Sequence, residues 1–266
     1  MSLVPPSQDD TPAPVYRIRT PSGAARPVMI AHRCGAGLGP ENTCAAVVQS
    51  SFFRPDFYEI DIRHTGDGVA VCFHDETLER TTNAAKILDQ TASTSTVLGE
   101  FTYSRLRGLD AGGWFGSTFR DEPIPSLETM LDCVNPSPLA IELKEPDITP
   151  DRCSAIAAFL EEREDDSSVV LSFHRSALER FREADPARRT CYLARDLDDY
   201  AIEGGHEIVG LDAPACTEEV VDTIHEAGKA VWVWTVNEGY ERFIEMRVDG
   251  IVTDHPDRLR KALPPS

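Results

Sequence analysis

The sequence predicts an α/β fold, a (β/α)8 TIM barrel with a β-hairpin excursion and an insertion after His74. Three observations lead there. Short runs rich in Val and Ile alternate with segments of helical period, the pattern of repeated βα units around a parallel sheet. Nine candidate strands can be marked, at 28–33, 57–63, 69–74, 139–144, 169–173, 190–194, 207–212, 230–236 and 250–254. Finally, 266 residues with 41% hydrophobic content suffice for one large core, and barrels of ~250 residues commonly form one unit.

The elements follow in order. Helical patterns fill most gaps, at 43–53, 151–163, 175–183, 217–227 and 239–246, and Ala227-Gly228-Lys229 reads as a helix stop. Only His64 to Gly68 separates the second and third strands, and Thr65-Gly66-Asp67-Gly68 is turn chemistry. These two strands therefore form a hairpin. Removing its returning arm, 69–74, leaves the eight strands that a closed barrel requires. Residues 1–27, with Pro5, Pro6, Pro12, Pro14, Pro21 and Pro27, lack the apolar core of a signal peptide and are expected to form a flexible N-terminal tail. Residues 28–266 are expected to form a single barrel, with a polar insertion at about 76–125 lying over its mouth. Within the insertion, Thr91-Ala92-Ser93-Thr94-Ser95-Thr96 reads as a mobile loop.

Composition excludes several functions. No window reaches the ~18 consecutive apolar residues of a membrane helix, so no stable membrane insertion is expected. A formal charge of −19 argues against nucleic acid as a partner, since binding it needs a basic surface. An anionic small molecule would need local positive charge at its site. Seven cysteines without CxxC spacing are expected to be reduced thiols, which favours a cytoplasmic location. No pattern in the sequence defines an oligomeric state.

The chemistry-bearing residues cluster on strands. Side chains alternate along a strand, so Glu59, Asp61 and Arg63 share one face and Ile60 and Ile62 the other. If the apolar faces of the two hairpin strands coincide, Ile60 pairs with Phe73 and Ile62 with Val71, and Glu59 then lies opposite His74 and Asp61 opposite Cys72. By itself that strand fits an exposed polar hairpin face equally well. Two other segments favour a site: Glu142 and Lys144 share a face of an otherwise apolar strand, and His32-Arg33 ends the first strand. In a barrel of this kind, reacting residues gather at the C-terminal strand ends. Three carboxylates suit a hard divalent cation such as magnesium or calcium. Arg33 and Lys144 supply the local positive charge.

These residues carry a resemblance to the glycerophosphodiester phosphodiesterase family, whose barrel belongs to the phospholipase C-like phosphodiesterases. It extends over most of 28–263. Its motifs stand here as His32-Arg33 with Pro40-Glu41-Asn42-Thr43, Glu59-Ile60-Asp61, His74-Asp75, Leu109-Asp110-Ala111-Gly112-Gly113-Trp114-Phe115, Ile124-Pro125-Ser126-Leu127-Glu128 and Glu142-Leu143-Lys144. The last third adds Val233-Trp234-Thr235-Val236-Asn237 and 248–256. The resemblance implies metal-dependent hydrolysis of a glycerophosphodiester, a small-molecule partner, to an alcohol and glycerol phosphate. It also implies a catalytic barrel in which Glu59, Asp61 and Glu142 bind one divalent cation, Mg2+ or Ca2+, and His32 and His74 are the general acid and base. Arg33, Lys144 and Trp234 would then bind substrate, with Glu41 supporting Arg33 or His32. The same chemistry on a lysophospholipid or a specialised-metabolite phosphodiester, and a barrel that binds a phosphodiester without turnover, are the alternative readings.

One position departs from the family pattern: Cys34 stands where glycine usually follows His-Arg, which bears on substrate choice. It is read as an inert thiol near Cys72. Phe173 is expected to fill the core. His64, His174, His206, His225 and His255 are read as structural or solvent histidines, and Asp254 as a cap of the last turn.

Overall fold

The computed structural model describes residues 17–19, 25–88 and 95–264. Eight parallel strands close on themselves: β2 (Ala25–Ala31), β3 (Phe57–His64), β5 (Leu139–Leu143), β6 (Val169–Ser172), β7 (Thr190–Ala194), β8 (Ile208–Asp212), β9 (Ala230–Trp234) and β10 (Gly250–Thr253). β10 pairs with β2, and β2 with β3, which shuts the ring. Two antiparallel arms complete the sheet, β1 (Arg17–Arg19) against β2 and β4 (Ala70–Cys72) against β3. Thus part of the segment expected to be a tail pairs as a strand, and β2 begins at Ala25; residues 1–16 and 20–24 lie outside the described residues, as do 91–94 of the expected loop.

Seven helices connect the barrel strands and an eighth follows the last of them: α1 (Cys44–Ser51), α2 (Leu127–Val134), α3 (Pro150–Glu162), α4 (Arg175–Ala184), α5 (Asp199–Glu203), α6 (Glu218–Glu226), α7 (Tyr240–Glu245) and α8 (Pro256–Ala262). Their starts are written locally. The side chains of Thr43, Ser126, Thr149, Asp198 and Thr217 each accept a backbone N–H three residues on, at the first turns of α1, α2, α3, α5 and α6.

Alternation along the strands separates two cores. Val28, Ile30, Phe57, Ala140, Leu171 and Trp232 pack inside the barrel, while Ile60, Ile62, Leu139, Ile141 and Leu143 face the helices. Trp232 is fully buried against Phe57. Its indole fits because Gly250 lacks a side chain: a Cβ there would lie 2.4 Å from Trp232 Cδ1.

The hairpin register differs by one residue from the expectation. Ile62 pairs with Cys72 and Arg63 with Val71, and the Phe73 N–H donates to the Asp61 carbonyl at 2.9 Å. The assumption that apolar faces coincide fails because both faces of the arm are covered. Cys72 joins Ile60 and Ile62 under the barrel helices, while Val71 and Phe73 join Leu78, Leu98, Leu106 and Ile124 of the insertion in a core of its own. A one-residue change of register exchanges faces, and here the insertion supplies the apolar partner for the second face.

A second expectation is corrected: Cys44 and Cys133 form a disulfide, with Cα atoms 5.9 Å apart. They are 89 residues apart in sequence, and only the packing of α1 on α2 brings them together, so spacing carried no trace of the pair. Cys34, Cys72, Cys153, Cys191 and Cys216 are free and buried. Among the described residues, no helix is long and apolar enough to cross a membrane.

Closing a loop of this length is worth up to about 4–5 kcal/mol in the chain-entropy model, and measured losses on removing native disulfides run at about 2–5 kcal/mol. Replacing both Cys44 and Cys133 with alanine is therefore expected to lower the unfolding free energy by about 2–4 kcal/mol in chemical denaturation. An unchanged midpoint and slope would show that the bond does not form.

Candidate active site

The barrel mouth holds a cavity of about 560 Å³. From β2, β3, β5 and the turns beyond them come His32, Arg33, Glu59, His74, Glu142 and Lys144; from β6 to β10 come Leu171, Phe173, Leu193, Trp232, Trp234 and Val252. Asp61, beneath this lining, is completely buried, and Glu41 stands behind Arg33.

The carboxylates come together by register. Asp61 of β3 pairs with Glu142 of β5, and Glu59 lies two residues before Asp61, on the same face. Single oxygens of Glu59, Asp61 and Glu142 all lie within 4.8 Å of one another, and all three residues are buried. Asp61 Oδ1 has no hydrogen-bond donor. Burial, then the Asp61 charge, pushes both Glu59 and Glu142 above the usual carboxylate range. Burial also opposes the Asp61 charge, but Lys144, Arg33, His74 and the Asn42 amide outweigh it and hold Asp61 below that range. Such a donor set, acidic, buried and with Asp61 Oδ1 lacking a hydrogen bond among the described residues while Lys144 Nζ stands 3.4 Å from it, fits a hard cation.

Two cations already border the acids. Lys144 Nζ lies 2.8 Å from Glu142 and 3.4 Å from Asp61. Arg33 Nε lies 3.4 Å from Asp61, and its Nη1 donates to Glu41 at 2.8 Å. The chain after β2 enters the left-handed region at Arg33 (φ 48°) and Cys34 (φ 66°), which aims the Arg33 backbone N–H at Glu59 Oε2, 2.6 Å away. Cys34 thus occupies a conformation that favours glycine. Its buried sulfur packs near Met130, and burial holds the thiol well above its usual range.

His32 and His74 are each backed by an aspartate. His32 Nδ1 lies 2.6 Å from Asp254, and His74 Nδ1 2.6 Å from Asp75. A carboxylate only accepts, so each Nδ1 carries the proton and each Nε2 is left for chemistry. His32 Nε2 lies 4.0 Å from Glu59. The two rings are driven apart: burial opposes the charge on His32, but Asp254 and Glu59 overcome it and raise its pKa, whereas at His74 burial wins over Asp61 and Asp75 and lowers it.

Several residues were misread or overlooked in the sequence. Asp254 is not a cap: it orients His32 and is itself held by Asn237 Nδ2 at 2.6 Å, while His255 precedes α8. Phe173 and His174 line the cavity, so Phe173 is not sealed in the core. Asn42 binds Asp61 twice, donating from Nδ2 at 2.8 Å and accepting the Asp61 N–H at 3.0 Å. Arg80 joins Asp75 to Glu41, and Arg63 Nε donates to the His74 carbonyl at 2.8 Å. Asn42 had a signal in the Pro40-Glu41-Asn42-Thr43 motif, and Arg63 in sharing a strand face with Glu59 and Asp61; Arg80 had none. Away from the mouth, His64 binds Glu145, His206 the Ala201 carbonyl and His225 Asp249.

Fold and site together define a barrel enzyme with an acidic centre, two aspartate-backed histidines and the basic side chains of Arg33 and Lys144 at its mouth. The model of the glycerophosphoryl diester phosphodiesterase family matches residues 32–258, and the chain belongs to that family. It is 30% identical over 249 residues to a glycerophosphodiester phosphodiesterase of Caldanaerobacter subterraneus subsp. tengcongensis, covering 87% of this chain and 96% of that one. In structure it is similar to a phosphodiesterase of Oleispira antarctica solved in complex with the product sn-glycerol-3-phosphate (TM-score 0.81, 24% identity, 89% of this chain and 96% of that one). It is also similar to a glycerophosphodiester phosphodiesterase of Agrobacterium tumefaciens (TM-score 0.74, 25% identity, 88% and 99%).

The Asp254 contact makes a directional prediction. In the metal-free protein, Asp254→Asn removes a negative charge from His32 Nδ1 and should lower the His32 pKa, as read by NMR titration of the imidazole. An unchanged value would mean that the two side chains do not interact in solution.

Proposed function

We propose that residues 28–266 act as one catalytic unit that hydrolyses glycerophosphodiesters to an alcohol and glycerol phosphate with the help of one divalent cation, Mg2+ or Ca2+. The observation that carries this reading is the convergence of two Asp-backed histidines on a buried triad of carboxylates flanked by Arg33 and Lys144. Glu59, Asp61 and Glu142 would hold the cation, which supplies charge stabilisation to the phosphoryl oxygens. Arg33 and Lys144 bind the remaining phosphoryl charge, offsetting the repulsion of a chain of net charge −19.

His32 and His74 divide the proton work. One takes a proton from the attacking nucleophile at its Nε2, and the other delivers a proton from Nε2 to the departing alkoxide oxygen. Asp254 and Asp75 hold Nδ1 protonated in both rings, so neither ring loses its tautomer or tilt during the exchange. Glu41 and Asn42 keep Arg33 and Asp61 in line. Trp234, whose Nε1 is spent on the Gly210 carbonyl at 2.9 Å, offers its ring face to the substrate.

The apolar lining from β6 to β10 supports a second reading with the same chemistry, in which a lysophospholipid is the diester. Comparing kcat/KM for glycerophosphocholine and lysophosphatidylcholine separates the two, and a marked preference for the lysolipid would displace the first reading. The location of the protein is tied to the cysteines: Cys44–Cys133 removes the reduced-thiol basis for a cytoplasmic site and is the kind of bond that persists in oxidising compartments.

Two outcomes are expected with glycerophosphocholine. His32→Ala and His74→Ala should each lose at least ~100-fold in kcat, and a near-native rate for either would remove that residue from the mechanism. Exhaustive chelation should abolish turnover and added Mg2+ or Ca2+ should restore it; full activity after chelation would sink the metal role.

A further inference from the structure

Arg195 follows β7 and, although exposed, lines the same cavity, two strands from β5 and thus roughly 10 Å across the sheet from Glu142, with Glu59 and Asp61 one strand further on. It differs from the other basic residues there. Arg33 is engaged by Glu41 and Asp61, and Lys144 by Glu142 and Asp61, whereas Arg195 makes no hydrogen bond or ion pair among the described residues. Its guanidinium lies over the Phe173 ring, 5.9 Å from the centroid, and Phe173 in turn stands edge-on to Trp234 at 5.2 Å. Stacking on an aromatic ring steadies a guanidinium while leaving its N–H groups open. In a chain with 45 acidic and 26 basic residues, an arginine left without an acid at a cavity wall is a group with unspent binding capacity.

We propose that Arg195 is a specificity residue, the receptor for an anionic group, phosphate or carboxylate, at the far end of the substituent that leaves the phosphodiester. This rests on the phosphodiesterase reading and narrows its substrate class. Arg33 and Lys144 serve the phosphoryl group that reacts; Arg195 serves a second anion separated from it by the aromatic wall of Phe173 and Trp234. A guanidinium meets two oxygens of a phosphate or carboxylate at once, a geometry that a choline or ethanolamine head cannot use and that its positive charge opposes. The preferred substrates are therefore diesters whose alcohol bears an additional negative charge.

The test compares alcohols that differ only in that charge. Glycerophospho-myo-inositol 4-phosphate and glycerophospho-myo-inositol are assayed with the metal-loaded wild type, Arg195→Gln and Arg195→Lys. The wild type should favour the phosphorylated diester by about 10-fold or more in kcat/KM, the gain of one charge-assisted contact. Arg195→Gln should erase that preference through KM, with kcat for the two diesters moving together, and Arg195→Lys should keep part of it. Equal kcat/KM for the two diesters in the wild type, or an equal loss on both in Arg195→Gln, overturns the subsite while leaving the phosphodiesterase reading intact. Failure to cleave either diester overturns the subsite, and failure on glycerophosphocholine as well overturns the phosphodiesterase reading with it.

Discussion

Three carboxylate oxygens within 4.8 Å of one another, all on buried residues, set the terms for everything around them. At an effective dielectric near 20, two full charges at that distance repel by roughly 3–4 kcal/mol, far more than a surface ion pair returns. Glu59, Asp61 and Glu142 can coexist ionised only if positive charge is near. Arg33 and Lys144 answer for part of it, and both contact Asp61, the most buried of the three. Burial, and then the Asp61 charge, holds Glu59 and Glu142 above the usual carboxylate range in spite of these two cations. A divalent cation among the three would complete the balance, so the geometry of the acids and the chemistry proposed for them have one electrostatic cause.

Around that centre, the side chains proposed to act on substrate are held in place by others. Asp254, itself bound by Asn237, holds His32, and Asp75, bound by Arg80, holds His74. Asn42 grips Asp61 by amide and carbonyl, and Glu41 links Arg33 to Arg80. Arg80 belongs to the insertion after β4, whose own apolar core rests on Val71 and Phe73. The insertion therefore steadies the turn that carries His74 and reaches the rim through one arginine. Preorganisation of this sort raises rate because the groups need not be gathered at the moment of reaction.

Much of this was legible before any coordinates. Alternation of Glu59 and Asp61, the pair Glu142 and Lys144, and His32-Arg33 at a strand end each follow from the period of a strand, and strand ends in a barrel converge. The barrel itself followed from counting strands and setting aside one hairpin arm. What was misread shares one physical origin: pairings between residues distant in sequence. The hairpin register was inferred from two strands alone, and it slips by one because a third body, the insertion, covers the opposite face. Asp254 lies 222 residues from His32, and Cys44 lies 89 residues from Cys133, so no local pattern announces either.

The sequence by itself determined which residue types could gather and at which end of the barrel, since both depend on periodicities of two and 3.6 that are written in every short segment. Only the tertiary structure decided the distant partners: the aspartate behind His32, the disulfide between α1 and α2, the register of β4, and the arginine after β7 left without an acid. Those depend on how closed the ring is and how its loops pack over one another. That is a property of the whole chain's excluded volume and burial, not of any stretch of it.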